Sequence, residues 1–180
     1  MNALNYIVDT LTSLYLGVLI LRFIMQLVRT DFRNPFAEAV VRATNPMLLP
    51  LRRLLPPMGR IDTASVVAIV LFATFKVAIL MVLFGSVSLN PLAWVFVVSR
   101  TLVLAVLWLY VIMIFFYGIA GFLMQGGYSP VYSLLADVCE PLLGRIRKII
   151  PSRVGALDLS FLWAIILLQA LILLIGEVRF

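Results

Sequence analysis

The chain has 180 residues, 64% hydrophobic and 12% charged, with a net charge of +6. A soluble domain carries about 25% charged residues, so this composition excludes a fold that covers itself in water and makes lipid the main solvent. The basic balance would elsewhere suggest nucleic acid, but the cations here fall between long apolar runs, where a membrane protein keeps its loops, and no nucleic-acid partner is expected.

Four apolar segments are candidates to cross a bilayer, approximately 4–28, 64–84, 101–123 and 159–175. A spanning helix needs roughly 20 residues, with about 17 as the lower limit. The first is too long for a signal h-region and has no cation before it, so it reads as a span. It carries Asp9 and Arg22. The stretch "NPMLLPLRRLLPPMGRID" at 45–62 follows. Met47, Leu48, Leu51, Leu54 and Leu55 recur at helical spacing, which predicts a short amphipathic helix. Pro46 suits its first position, Asn45 its cap and Pro56 its end. Arg53 falls opposite the apolar face and Arg52 at its edge, where its stem can lie along apolar surface. Asp62 then caps the second span, with an Ile61–Val66 staple. Lys76 sits about 20 Å into that span.

The break at 85–90, followed by Pro91, separates spans two and three. The third apolar run starts near Leu92, carries Arg100 at its outer end, and holds Gly118 and Gly121, which permit close helix contact. The stretch "EPLLGRIRKIIPSRVGALD" at 140–158 repeats the earlier sentence. Leu142, Leu143, Ile146, Ile149 and Ile150 take the apolar face, with Arg147 and Lys148 matching Arg52 and Arg53. Pro141 suits a first helical position and Pro151 an end. Cys139 stands where the first copy has Thr44 and reads as a small apolar filler. Asp158, with a Leu157–Leu162 staple, caps the fourth span, which ends near Glu177.

From Pro35 the two copies align at an offset of 95, which pairs Pro35 with Pro130, Pro46 with Pro141, Arg52 with Arg147 and Pro56 with Pro151. One inserted residue raises the offset to 96, pairing Gly59 with Gly155 and Asp62 with Asp158. The expected fold is therefore an all-α membrane protein, with four transmembrane helices in two parallel span–loop–span repeats, 1–88 and 89–180. Each loop carries a short amphipathic interfacial helix. Ten of the 14 cations lie in the two loops. By the positive-inside rule both loops are cytoplasmic and both termini outside.

Three roles are open to the basic segments: holding the loop flat on the membrane, capturing an anionic lipid or partner protein, or forming a re-entrant loop. Lys76, Asp9, Glu177 and Arg100 are expected to gather as an intramembrane charge cluster, with Lys76 paired to Asp9 or Glu177. It reads either as structure or as an ion or proton path. The chain has no His. That removes His-based catalysis, most zinc sites and the commonest haem ligand. No enzyme activity, metal or cofactor is expected.

The twin Pro- and cation-marked sentences resemble the YggT family (also called YlmG), integral membrane proteins of bacteria and plastids. The likeness covers nearly the whole chain in a two-unit form. It implies a bacterial plasma (inner) membrane location, and links to cell division and envelope organisation, osmotic or ion homeostasis, and cytochrome assembly in plastids. The leading expectation is a non-enzymatic scaffold or assembly factor. Its basic helices, through Arg52, Arg53, Arg147 and Lys148, would bind anionic lipid or division and envelope proteins, and homo-oligomerisation is left open. The alternative is a small ion transporter, or a transport accessory, using the intramembrane charges.

Overall fold

The computed structural model of the chain describes residues 3–55, 62–84, 90–123, 129–149, 153–154, 157–158 and 160–177. These form helices α1 (Ala3–Val28), α2 (Pro35–Leu54), α3 (Thr63–Phe84), α4 (Pro91–Leu123), α5 (Pro130–Ile149) and α6 (Ser160–Glu177). A two-residue antiparallel ladder, β1 (Arg153–Val154) on β2 (Leu157–Asp158), precedes α6. Helices α1, α3 and α4 are long and apolar enough to cross a membrane, which marks a membrane protein. Helix α6 has 18 residues. Its length of about 27 Å falls just short of a hydrocarbon core of about 30 Å.

Three boundaries refine the expectation. Helix α4 starts at Pro91, where the apolar run from near Leu92 begins, ahead of the 101–123 segment. Asn90 places it there: its Oδ1 accepts the Leu92 N–H at 3.0 Å, and Pro91 takes the first helical position, where a missing N–H costs nothing. The basic segments are also 20-residue helices, twice the expected length. Pro35 and Pro130 start them, while Pro46, Pro50 and Pro141 lie inside. Asn34, not Asn45, is the first cap, with Oδ1 accepting the Phe36 N–H at 3.0 Å. Thirdly, α6 begins at Ser160, so Asp158 belongs to β2 and does not directly precede the helix. The expected roles of Pro56, Gly59, Ile61, Ile150, Pro151 and Gly155 lie outside the described residues, as do the side chains of Ile149 and Leu157.

The helices fall into two compact units. One comprises Met1–Phe23 and Val40–Val106, the other Ile24–Ala39 and Leu107–Phe180. In the first, Leu48 of α2 is fully buried with Leu19 of α1 and with Ala64 and Ala68 of α3. Met47, Leu51, Leu55 and Phe72 close around them. Two small alanines leave the groove that the Leu48 side chain fills. This packing offsets interior prolines that each cost about 3 kcal/mol. The apolar face of α2 is thus largely covered by its own unit, and of the five predicted positions Leu54 is exposed. Periodicity reveals an apolar face, but a neighbouring helix covers it as well as lipid does.

In the second unit α5 packs on α6, and Val138, Cys139, Leu143 and Ile146 of α5 are buried. Helices α4 and α6 approach closely: a Cβ on Gly118 would stand 2.7 Å from the Phe161 ring. Also in this unit, α1 ends with Arg29 at φ 59°, while Thr30 N–H donates to the Met25 carbonyl at 3.0 Å. That is a Schellman closure, with an arginine where glycine would be unstrained.

The two units bury matching positions. Leu16 and Val111, Leu19 and Ile114, Thr44 and Cys139, and Leu48 and Leu143 are all buried, each pair separated by the offset seen between the starts of α2 and α5.

Candidate functional site

The four loop cations named from sequence divide into two kinds. Arg52 of α2 reaches Asp62, just before α3. Its Nε donates to Oδ2 at 3.1 Å, and its Nη2 donates to the same oxygen. Asp62 is 4% exposed and also accepts the Ser65 hydroxyl at 2.8 Å and the Ser65 backbone N–H. Ser65 is the third residue of α3, so Asp62 stands in N-cap geometry while holding α2 down. Burial alone would raise its pKa, but the bonds from Arg52 and Ser65 outweigh it and hold the carboxyl below its usual range.

Arg147 of α5 is held differently. It grips Glu140, two turns back on its own helix, with Nη1 to Oε2 at 2.8 Å and Nη2 to Oε1 at 3.2 Å. Its Nε donates to Ser160 Oγ at 3.2 Å, which ties α5 to the start of α6. Asp158, the counterpart of Asp62, is placed by its backbone in β2, and capping by its side chain lies outside the described residues. In contrast, Arg53 and Lys148 are exposed and make no ion pair among the described residues.

Sequence reading missed one layer beneath these cations. Arg22 of α1 is held inside the protein, 4% exposed. Its Nη1 donates to Thr44 Oγ1 at 2.5 Å, Asn45 Oδ1 at 2.9 Å and the Val41 carbonyl at 3.1 Å. A buried guanidinium needs acceptors, and one turn of α2 supplies three to Nη1. In the second unit Tyr117 occupies the corresponding place. Its hydroxyl donates to Glu140, at the position matching Asn45, and its ring stacks on Tyr132 at 5.3 Å. The available signal was that both positions are polar in both copies. Asn34 adds a further tie, its Nδ2 donating to the Pro130 carbonyl at the start of α5.

The intramembrane charges form a separate site in the first unit. Lys76 Nζ lies 3.0 Å from Asp9 Oδ1 and donates to Ser13 Oγ at 2.5 Å. The Lys76 side chain is 11% exposed and that of Asp9 39%. A cavity of about 230 Å³ opens beside them, lined also by Val77, Leu80, Met81, Val97 and Thr101. Arg100, half-buried in α4, is not among the lining residues. Glu177 ends α6, and its side chain lies outside the described residues.

A profile of the CCB3/YggT family matches residues 1–84 and again 89–178. The uncharacterised protein PA0392 of Pseudomonas aeruginosa is 40% identical over 178 residues, covering 97% of this chain and 88% of that one. The uncharacterised protein YggT of Escherichia coli K12 is 34% identical over 181 residues, covering 99% and 92%. A protein encoded in the proC 3′ region of Vibrio alginolyticus is 36% identical over 180 residues, covering 99% and 96%. No solved structure matches the chain.

Proposed function

The chain belongs to the CCB3/YggT family, and from that premise we propose that it is a non-enzymatic scaffold of the bacterial inner membrane. In this reading α6 crosses the bilayer with α1, α3 and α4, the two family matches are parallel repeats, and α2 and α5 lie on the cytoplasmic face. They bind anionic phospholipid there, which positions the protein for envelope or division partners. One observation carries the reading: each cation doublet is split. Arg52 and Arg147 are engaged in ion pairs within the protein, while Arg53 and Lys148 are exposed and make none among the described residues. Clamping one cation fixes the direction in which its neighbour faces.

The test is co-flotation of purified protein with anionic and neutral vesicles across a salt series. Each cation near an anionic surface is worth about 1 kcal/mol, so Arg53→Gln with Lys148→Gln weakens anionic binding about 30-fold at low salt. Arg52→Gln lowers the melting temperature more than Arg53→Gln does. Equal binding to both vesicle types, or an unchanged double variant, overturns the reading. The Asp9–Lys76 pair beside a cavity favours a second reading, a small ion transporter or transport accessory. It requires that Lys76→Met abolish ion flux in proteoliposomes.

A further inference from the structure

We propose that the cavity at Asp9 and Lys76 binds the zwitterionic headgroup of a membrane aminophospholipid, ammonium toward Asp9 and phosphate toward Lys76. The proposal rests on neither reading above. It begins from a difference between the two copies. At the offsets that align them, Asp9 corresponds to Leu104 and Lys76 to Ile172, and Ile172 is buried. The architecture therefore accepts two apolar side chains where the first copy places an ion pair. Apolar replacements are often as stable even for a fully buried pair, and this one is only partly buried, so folding does not explain the charges.

The pair also has bonding capacity left. An ammonium has three donors, and Lys76 gives two, to Asp9 and Ser13. A carboxylate accepts on both oxygens, and Lys76 meets Oδ1. The Thr101 hydroxyl donates its hydrogen to the Val97 carbonyl at 2.8 Å, which leaves its oxygen as an acceptor on the cavity wall. The cavity thus presents a cationic donor, anionic and neutral acceptors, and apolar walls.

Charge balance selects among ligands. The pair is neutral, so a simple cation or anion would leave a net charge in a low-dielectric site. A zwitterion matches both ends and adds none. A primary ammonium supplies N–H donors for Asp9 and Thr101, whereas a quaternary one supplies none. Position favours a lipid source. Asp9 lies about 9 Å from the start of α1 and Lys76 about 12 Å from the end of α3, within reach of a headgroup drawn slightly inward. Leu80 and Met81 can flank its acyl chain.

The test is native mass spectrometry of the detergent-purified protein, titrated separately with phosphatidylethanolamine, phosphatidylcholine and phosphatidylglycerol. Wild type retains phosphatidylethanolamine about tenfold more tightly than the others, as charge-assisted bonds at both ends require. The D9L/K76I variant, copied from the second repeat, keeps its melting temperature and loses the preference. Thr101→Val, which removes one acceptor without touching the pair, reduces the preference and guards against a double variant that fails to fold. Equal retention of phosphatidylethanolamine and phosphatidylcholine by wild type, or an undiminished preference in D9L/K76I, overturns the proposal. Displacement of the lipid by free phosphoethanolamine overturns the lipid assignment.

Discussion

At Asp62, burial and hydrogen bonding pull in opposite directions, and the bonds win. The carboxyl is held below its usual value near 3.8. A depressed folded-state pKa means that the unfolded chain binds the proton first on acidification. The contribution is therefore complete above the usual carboxylate range and is lost as pH falls through the lower, folded value. Asp62→Asn should cost about 1–3 kcal/mol at neutral pH. This is below the range for a fully buried pair, because Arg52 keeps 40% exposure and its charge is partly screened. Melting temperatures of wild type and Asp62→Asn should differ by a constant amount from pH 8 down to about 5, then converge below about 4. A difference undiminished at the acid end would mean that the charge of Asp62 is not what holds α2. The Arg52 link was hidden in the sequence, where both residues had good local explanations: a cation at the edge of an apolar face and an N-cap. Depth along a helix had made Asp9 a candidate for Lys76. Nothing comparable marks the oxygens that Arg22 reaches, since they depend on how α2 lies against α1.

Among the elements, α2 and α5 show where pattern reading stops. Their apolar spacing was plain, and the proline at each end of the quoted stretches invited a short helix between them. Asn34–Pro35 and Asn45–Pro46 carry the same start signal, a cap-type residue followed by proline, and Ser129–Pro130 a better one than Glu140–Pro141, but interior prolines concealed that the helix runs on. Leu48 could be assigned to an apolar face from spacing alone, yet not to Ala64 and Ala68, which lie in another helix. The α4–α6 contact was legible only as a permissive glycine. Its partner ring makes it specific. Gly118→Ala should destabilise by about 1–3 kcal/mol, the usual range for overpacking, because the new methyl meets Phe161 at 2.7 Å. Adding Phe161→Leu should recover part of the loss. Thermal unfolding of the two variants checks this, and a silent Gly118→Ala would show that the helices part without cost. Matching positions in the first copy hold Phe23 and Ser65, so each copy has one ring and one small residue, on opposite partners.

For the whole molecule, the charge distribution makes a claim about sidedness that the native thiol cannot test. Cys139 is fully buried, and burial, with Glu140 adding to it, pushes its pKa up to about 12. A thiol so placed is inert from either side of a membrane. Reporters belong instead at the exposed members of the doublets, in a background where Cys139→Thr copies the residue of the first repeat. Each repeat makes an even number of crossings in the proposed topology, so Arg53→Cys and Lys148→Cys should fall on one face. In the proposed topology the excess of loop cations makes that face the cytoplasmic one. Both variants should resist an impermeant maleimide in intact cells and react once the membrane is opened. Labelling of both in intact cells would reverse the orientation and keep the repeat parallel. Labelling of only one would mean an odd number of crossings between them, and α3 or α4 would then have to be assigned anew. Each thiol removes one cation among many, so topology itself should not shift, and similar yields of the two variants in the membrane fraction check that premise.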